Sequence, residues 1–129
     1  MSGLSSADIA LLRGLDLAHL ATINADGSPH VAPLWADTDG TDVLLNTAEG
    51  RRKVRNVRRD PRVGVSIARG NASPALVIEG RVVALETEGA LEHIDALARR
   101  YSGEAWTPVP GQTRVKLRIR PERILSHPE

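Results

Sequence analysis

Residues 46–63, NTAEGRRKVRNVRRDPRV, hold the densest run of positive charge in the chain. Arg51, Arg52, Lys53, Arg55, Arg58, Arg59 and Arg62 fall almost consecutively, with Glu49 and Asp60 the nearby acids. Guanidinium and ammonium groups are donors without acceptors, so the chemistry they offer is the gripping of phosphate or carboxylate. Each such charge-assisted bond is worth roughly 1.5–3 kcal/mol. Asn46 or Thr47 is read as the cap of a helix running to about Arg59, with Pro61 beyond its end. On that helix Val54 and Val57 turn inward. Arg51, Arg55, Arg58 and Arg62 share one ridge, and Arg52, Asn56 and Arg59 share a second. Lys53 lies at the edge of the buried side, where its stem crosses apolar surface and its ammonium reaches a groove. The helix N-terminus adds free N–H groups and a favourable dipole, so the segment is read as an anion site.

Other chemistries find little support. His19, His30, His93 and His127 show no metal-ligand spacing, so no metal site is expected. The chain has no cysteine, which excludes thiolate ligands, thiol nucleophiles and disulfides. Neither a G-x-S-x-G elbow nor a Walker loop occurs. Glu86, Glu88 and Glu92 read as acids at the start of a helix, complementing its dipole. His19, His30 and Tyr101 are protonatable, but the catalytic acid stays unassigned. Trp35 reads as a packing residue, and Trp106 equally as packing or as a ligand contact.

The elements that must position these residues form one domain, 1–129. Ser5 or Ser6 caps a short helix whose apolar face is Ile9, Leu11, Leu12 and Leu15, with Gly14 at its end. A hairpin around Asp26-Gly27 follows, and residues 17–46 read as a three-strand meander. After the basic helix come a strand at RVGVSIA and a long strand at ALVIEGRVVALE, with Gly80 as a bulge. A helix carrying Leu91, Ile94, Leu97, Ala98 and Tyr101 precedes a loop and a final alternating strand, TRVKLRIR. The fold expected is mainly β (α+β): a six-stranded antiparallel barrel with two or three short helices. No G-x-G-x-x-G occurs, which argues against a doubly wound nucleotide fold. No signal peptide and no apolar run of the ~20 residues a membrane span needs are found, so a cytoplasmic protein is expected. With a net charge of +1, two Trp, one Tyr and no Phe, nucleic-acid binding is not expected.

ADGSPHVAPLW, followed at the same spacing by GRRKVRN and RDPRV, resembles the pyridoxamine 5'-phosphate oxidase-like split β-barrels that bind flavin mononucleotide (FMN). More narrowly it is similar to their deazaflavin (coenzyme F-420)-dependent reductase branch. The similarity runs from about Leu17 to Val83 and returns at TRVKLRIRPERI. It implies a split barrel of the FMN-binding type and a homodimer with cofactor clefts at the subunit interface. The activity implied is an oxidoreductase that passes hydride to a small conjugated substrate. The strand backbone at Ala32, Pro33 and Leu34 would lie along the cofactor ring. Asn46 and Thr47, with Arg51, Arg52, Lys53 and Arg55, would take its phosphate or acidic tail. FMN enzymes of the family carry an arginine near the position of Ala32, and its absence favours the deazaflavin over FMN. An FMN oxidase or reductase, or a carrier that holds flavin, deazaflavin or haem without turnover, is the alternative.

Overall fold

The computed structural model describes residues 3–70 and 72–127. Helix α1 (Ser6–Leu12) starts at a capping box. The Ser5 hydroxyl accepts from the Asp8 N–H at 3.1 Å, and the Asp8 carboxylate accepts from the Ser5 N–H at 3.0 Å. Leu11 and Leu12 enter the core. Because the helix stops at Leu12, Leu15 does not share its apolar face and is 68% exposed.

Strands β1 (Ala18–Ile23) and β2 (Pro29–Leu34) form the expected hairpin, in register from Ala18↔Leu34 to Ile23↔Pro29. Gly27 takes φ +88° in the turn, a conformation that favours glycine. The expected meander is not formed. A three-residue strand, β3 (Ala36–Thr38), pairs instead with β4 (Val43–Ala48). Burial explains the choice. Strand β2 alternates exposed and half-buried residues and suits an edge, whereas all six residues of β4 are buried and suit the interior.

Helix α2 (Arg52–Arg59), β5 (Arg62–Arg69), β6 (Ala72–Glu86), α3 (Ala90–Ser102) and β7 (Arg114–His127) complete the chain. The sheet has seven strands, where six were expected, in the order β2-β1-β5-β6-β7-β4-β3. Its two edge strands, β2 and β3, are consecutive in sequence and separated by Trp35 alone. A sheet whose ends are tied by one residue must curl until they meet, so the barrel is closed by the chain and split at that seam.

Gly80 lies at the expected irregularity, where the β6–β7 register shifts. A Cβ there would collide with the backbone carbonyl of Arg120, so no larger residue fits without backbone movement. The core is aliphatic, centred on Leu12, Leu20, Leu45, Ile67, Ile78 and Leu117.

Helix α2 begins later than the sequence suggests. Its N-cap is Arg51, and no side chain caps it. Asn46 and Thr47 belong to β4, where they pair with Lys116 and Val115, and the ladder has taken the residues expected to cap the helix. Glu86 likewise ends β6 and bonds Arg118 rather than opening a helix. Among the described residues no helix is long and apolar enough to cross a membrane.

Candidate functional site

A groove of about 250 Å³ opens where the seam meets α3. Pro33, Leu34 and Trp35 form one wall, and Asn46 of β4 and Arg114 of β7 form the other, with Trp106 beside them. All three aromatic side chains of the protein gather here. Trp35 stacks on Tyr101 at 5.4 Å and 8°, and Trp106 stands edge-on to Trp35 at 6.5 Å and 85°. The Tyr101 hydroxyl is already committed, accepting from the Ala36 N–H at 3.1 Å and donating to the Asp16 carbonyl at 2.9 Å. It braces the seam and is not free to act as the proton donor considered from sequence. The Trp106 indole N–H is buried without a partner among the described residues. Donor-only and desolvated, it is unsatisfied until something presents an acceptor.

Arg114 lies over the Trp106 ring at 4.8 Å. Its Nε donates to Asn46 Oδ1 at 3.0 Å, and its Nη1 donates to Gln112 Oε1 at 3.2 Å. Burial lowers the Arg114 pKa, and repulsion from Arg51 lowers it further. Lys53, half-buried as expected, is lowered by burial first and then by Arg51 and Arg114. Arg114 lines the groove, and Lys53 and Arg51 lie outside its lining but close enough for the three charges to act on one another. Among the described residues none of them has a carboxylate at ion-pair distance.

The rest of the basic segment divides. Arg52, Arg55 and Arg59 line a second groove of about 440 Å³ against the β1–β2 hairpin, with Asn24, Asp26 and Ser28 opposite. Asn56, expected on an outward ridge, is buried there and donates to Thr22 Oγ1 and Asn24 Oδ1, both at 3.0 Å. Arg58 forms a bidentate pair with Glu49, both contacts at 2.6 Å, and Arg62 pairs with Asp60 from the start of β5. Arg58 and Arg62 are therefore structural, while Arg51, Arg52 and Lys53 keep no ion pair among the described residues.

The structure therefore brings Pro33, Leu34 and Asn46 together and sets Lys53 and Arg51 near them through Arg114. Ala32 is half-buried on β2, and Thr47 is buried in β4. Arg52 and Arg55 face the other groove. His19 lies exposed on β1, and His30 has a buried Nδ1 without a partner. Neither lines the aromatic groove. Arg114 was missed from sequence, and so was His93, which lies outside the groove lining with its Nδ1 3.1 Å from Asn46 Nδ2. Arg114 opens a strand whose alternation puts Arg114, Lys116, Arg118 and Arg120 on one face. That spacing was the available signal. Nothing near His93 in the sequence singles it out.

These features define a split barrel of the flavin-binding type, with an aromatic-lined groove ending in unpaired cations. Residues 7–127 match the pyridoxamine 5'-phosphate oxidase family, and the chain belongs to that family, which includes oxidoreductases. Among solved structures, an F-420 reductase is similar at 27% identity and a TM-score of 0.80, over 90% of this chain and 94% of that one. A conserved hypothetical protein of Mycobacterium tuberculosis matches at 29% identity and a TM-score of 0.77, over 96% and 84%. A putative pyridoxamine 5'-phosphate oxidase of Listeria innocua matches at 26% identity and a TM-score of 0.66, over 85% and 86%.

Proposed function

We propose that the protein is an oxidoreductase that uses the deazaflavin coenzyme F-420 to pass hydride to a small conjugated substrate. The observation that carries this is the pair of partly buried cations, Lys53 and Arg114, disfavoured by burial and by the exposed Arg51 beside them, at the end of an aromatic groove. An arrangement that disfavours its own charge is relieved by a bound anion, and the donors present suit a phosphate. The Trp106 ring lines the same groove, and its buried N–H has no partner among the described residues. The residues therefore fit the cofactor. Likeness to the F-420 reductase supports the deazaflavin.

Arg51, Lys53 and Arg114 hold the phosphate, with Asn46 and Thr47 fixing the strand beneath them. The backbone of Ala32, Pro33 and Leu34 lies along the ring. Arg52 and Arg55, around the helix, take the acidic tail. The bound deazaflavin supplies the hydride. The chain's own part is to bind, orient and exclude water. Trp35 and Trp106 wall the groove, and the seam geometry set by Tyr101 keeps them in place. Solvent or the substrate delivers the proton, since among the described residues lining the groove there is no acid.

FMN is the second reading, favoured by the family itself. Ala32 weighs against it, since a methyl group cannot grip a phosphate. Ala32→Arg is expected to raise FMN affinity about tenfold, the worth of one added charged hydrogen bond; no gain in a fluorescence titration removes that reasoning. We also propose a homodimer. The outer face of the sheet presents Ala21, Gly64, Val77 and the 59% exposed Val31 as an apolar surface of small residues, and a second copy would cover it. Sedimentation at about twice 13.9 kDa is expected.

The deciding experiment is a side-by-side fluorescence titration with coenzyme F-420 and FMN. Tighter binding of F-420, with turnover of its reduced form on a conjugated acceptor, supports the reductase. Binding without turnover on any acceptor makes the protein a carrier. Tighter binding of FMN transfers the reading to flavin chemistry, and micromolar binding of neither rejects both.

A further inference from the structure

Asp37, His93, Asn46 and Arg114 form a continuous chain of hydrogen bonds from strand β3, across α3 and β4, to the groove. Its directions are fixed by its ends. Asn46 Nδ2 donates to the Ala90 carbonyl at 2.9 Å, and Asn46 Oδ1 accepts from Arg114 Nε at 3.0 Å. The amide cannot be turned over without facing carbonyl to carbonyl and donor to donor. Its second N–H points at His93 Nδ1, 3.1 Å away, so that nitrogen must accept. The imidazole proton therefore sits on Nε2 and is donated to Asp37 Oδ2 at 3.1 Å. Each group has one role, and all are filled.

We propose that Asp37, His93 and Asn46 are positioning residues that hold the Arg114 guanidinium in the groove only while His93 is neutral. Protonation puts a hydrogen on Nδ1, directly opposed to the Asn46 N–H. Asn46 then either turns over, presenting its NH₂ to Arg114 Nε, or swings away; in both cases Arg114 loses its Asn46 bond and keeps only the longer one to Gln112. Arg114 is already disfavoured in its seat by burial and by Arg51. Without the Asn46 carbonyl it leaves the Trp106 face for solvent. An imidazole is the side chain that ordinarily changes charge between pH 5 and 8, which sets the range over which the seat is to be tested.

The other charges around His93 have been placed. Asp37 is raised by burial, but bonds from His93 and the Thr38 N–H, with the charges of His93 and Arg100, outweigh this and hold it below the usual carboxylate range. It stays ionised throughout. Arg100, on α3, lies 3.5 Å from Asp37 Oδ1. Near the start of α3, Lys116 of β7 lies 3.6 Å from Glu86 of β6.

That Arg114 grips a ligand rests on the function proposed above, but the device is tested without one. Tryptophan emission of the unliganded protein is followed from pH 8 to pH 5. Arg114 stacks on one of only two indoles, so its departure shifts the spectrum. The wild type is expected to show a one-proton step. His93→Gln, which can still donate to Asp37 and accept from Asn46, is expected to lose the step and keep the high-pH spectrum. Arg114→Met is expected to lose the step with the low-pH spectrum. A step that survives His93→Gln, or a low-pH spectrum in that variant, overturns the proposal. So does nitrogen NMR of the wild-type imidazole showing the proton on Nδ1 at pH 8, a measurement that needs no variant. Failure of cofactor binding alone leaves these outcomes unchanged and counts only against the function.

Discussion

Strand β7 carries arginines at both ends of one face, and they live under opposite conditions. At one end Arg118 bonds Glu86, Asp39 and Asp42, and Arg120 bonds Asp42. Their charged forms are favoured: hydrogen bonds from Glu86 and Asp39 raise Arg118, and the bond to Asp42 raises Arg120. At the other end Arg114 faces Arg51 and Lys53 with no carboxylate between them, and burial with repulsion lowers it. The same residue type on one strand thus closes a sheet corner at one end and waits for an anion at the other. What separates the two is the set of neighbours brought by α2, α3 and the β3–β4 turn.

The largest expected effect comes from the unpaired end. Lys53→Ala with Arg114→Ala is expected to weaken cofactor binding by about 3–5 kcal/mol, the loss of two charge-assisted bonds, read by fluorescence titration. Unchanged affinity would place the phosphate elsewhere and dissolve the contrast. Lys53→Met alone is expected to raise the thermal midpoint of the unliganded protein, because it removes a desolvated and repelled charge.

The paired end should respond the other way. Asp42→Ala is expected to destabilise the fold by about 2 kcal/mol in urea, since it takes the carboxylate from Arg120 and one of the three that hold Arg118, while leaving cofactor affinity intact. A fall in affinity with no loss of stability would reverse the two roles.

A smaller effect lies in acid. Asp39 is held at about 2, against 3.8, first by the Asp42 N–H, with the Thr41 N–H and Arg118 adding to it. Its folded pKa is depressed, so its contribution is complete above about pH 4 and is lost as the pH falls toward 2. Asp39→Asn should flatten the stability profile there. Smallest of all, Arg58→Ala opens an exposed pair and is expected to change stability by no more than about 0.5 kcal/mol.

The sequence revealed what depends on near neighbours. The Ser5 cap, the Asp26-Gly27 hairpin, the Gly80 irregularity and the inward Val54 and Val57 all follow from spacings of a few residues. Sheet order did not, because β4 could pair with either β2 or β7, and burial on both faces decided it. Asn46 and Thr47 carried a capping signal that the β4–β7 ladder overrode. The groove itself unites Pro33, Asn46, Ile94, Trp106 and Arg114, and no local pattern announces that meeting. The basic run was visible at once; its division between two grooves required the packing of α2 against the hairpin.

The seam at Trp35 leaves the rim of β2 without a strand beside it. Pro29 and Pro33 stand opposite Ile23 and His19, and a proline on an edge strand turns its nitrogen away from its neighbour. Val31, midway between them, faces the same direction. Of these three outward positions only one keeps an N–H, so the rim can accept hydrogen bonds but offers almost no donors to an incoming strand. An intruding chain would find half the ladder missing. The barrel can thus remain open for a ligand without inviting edge-to-edge aggregation, and Pro33 serves both purposes.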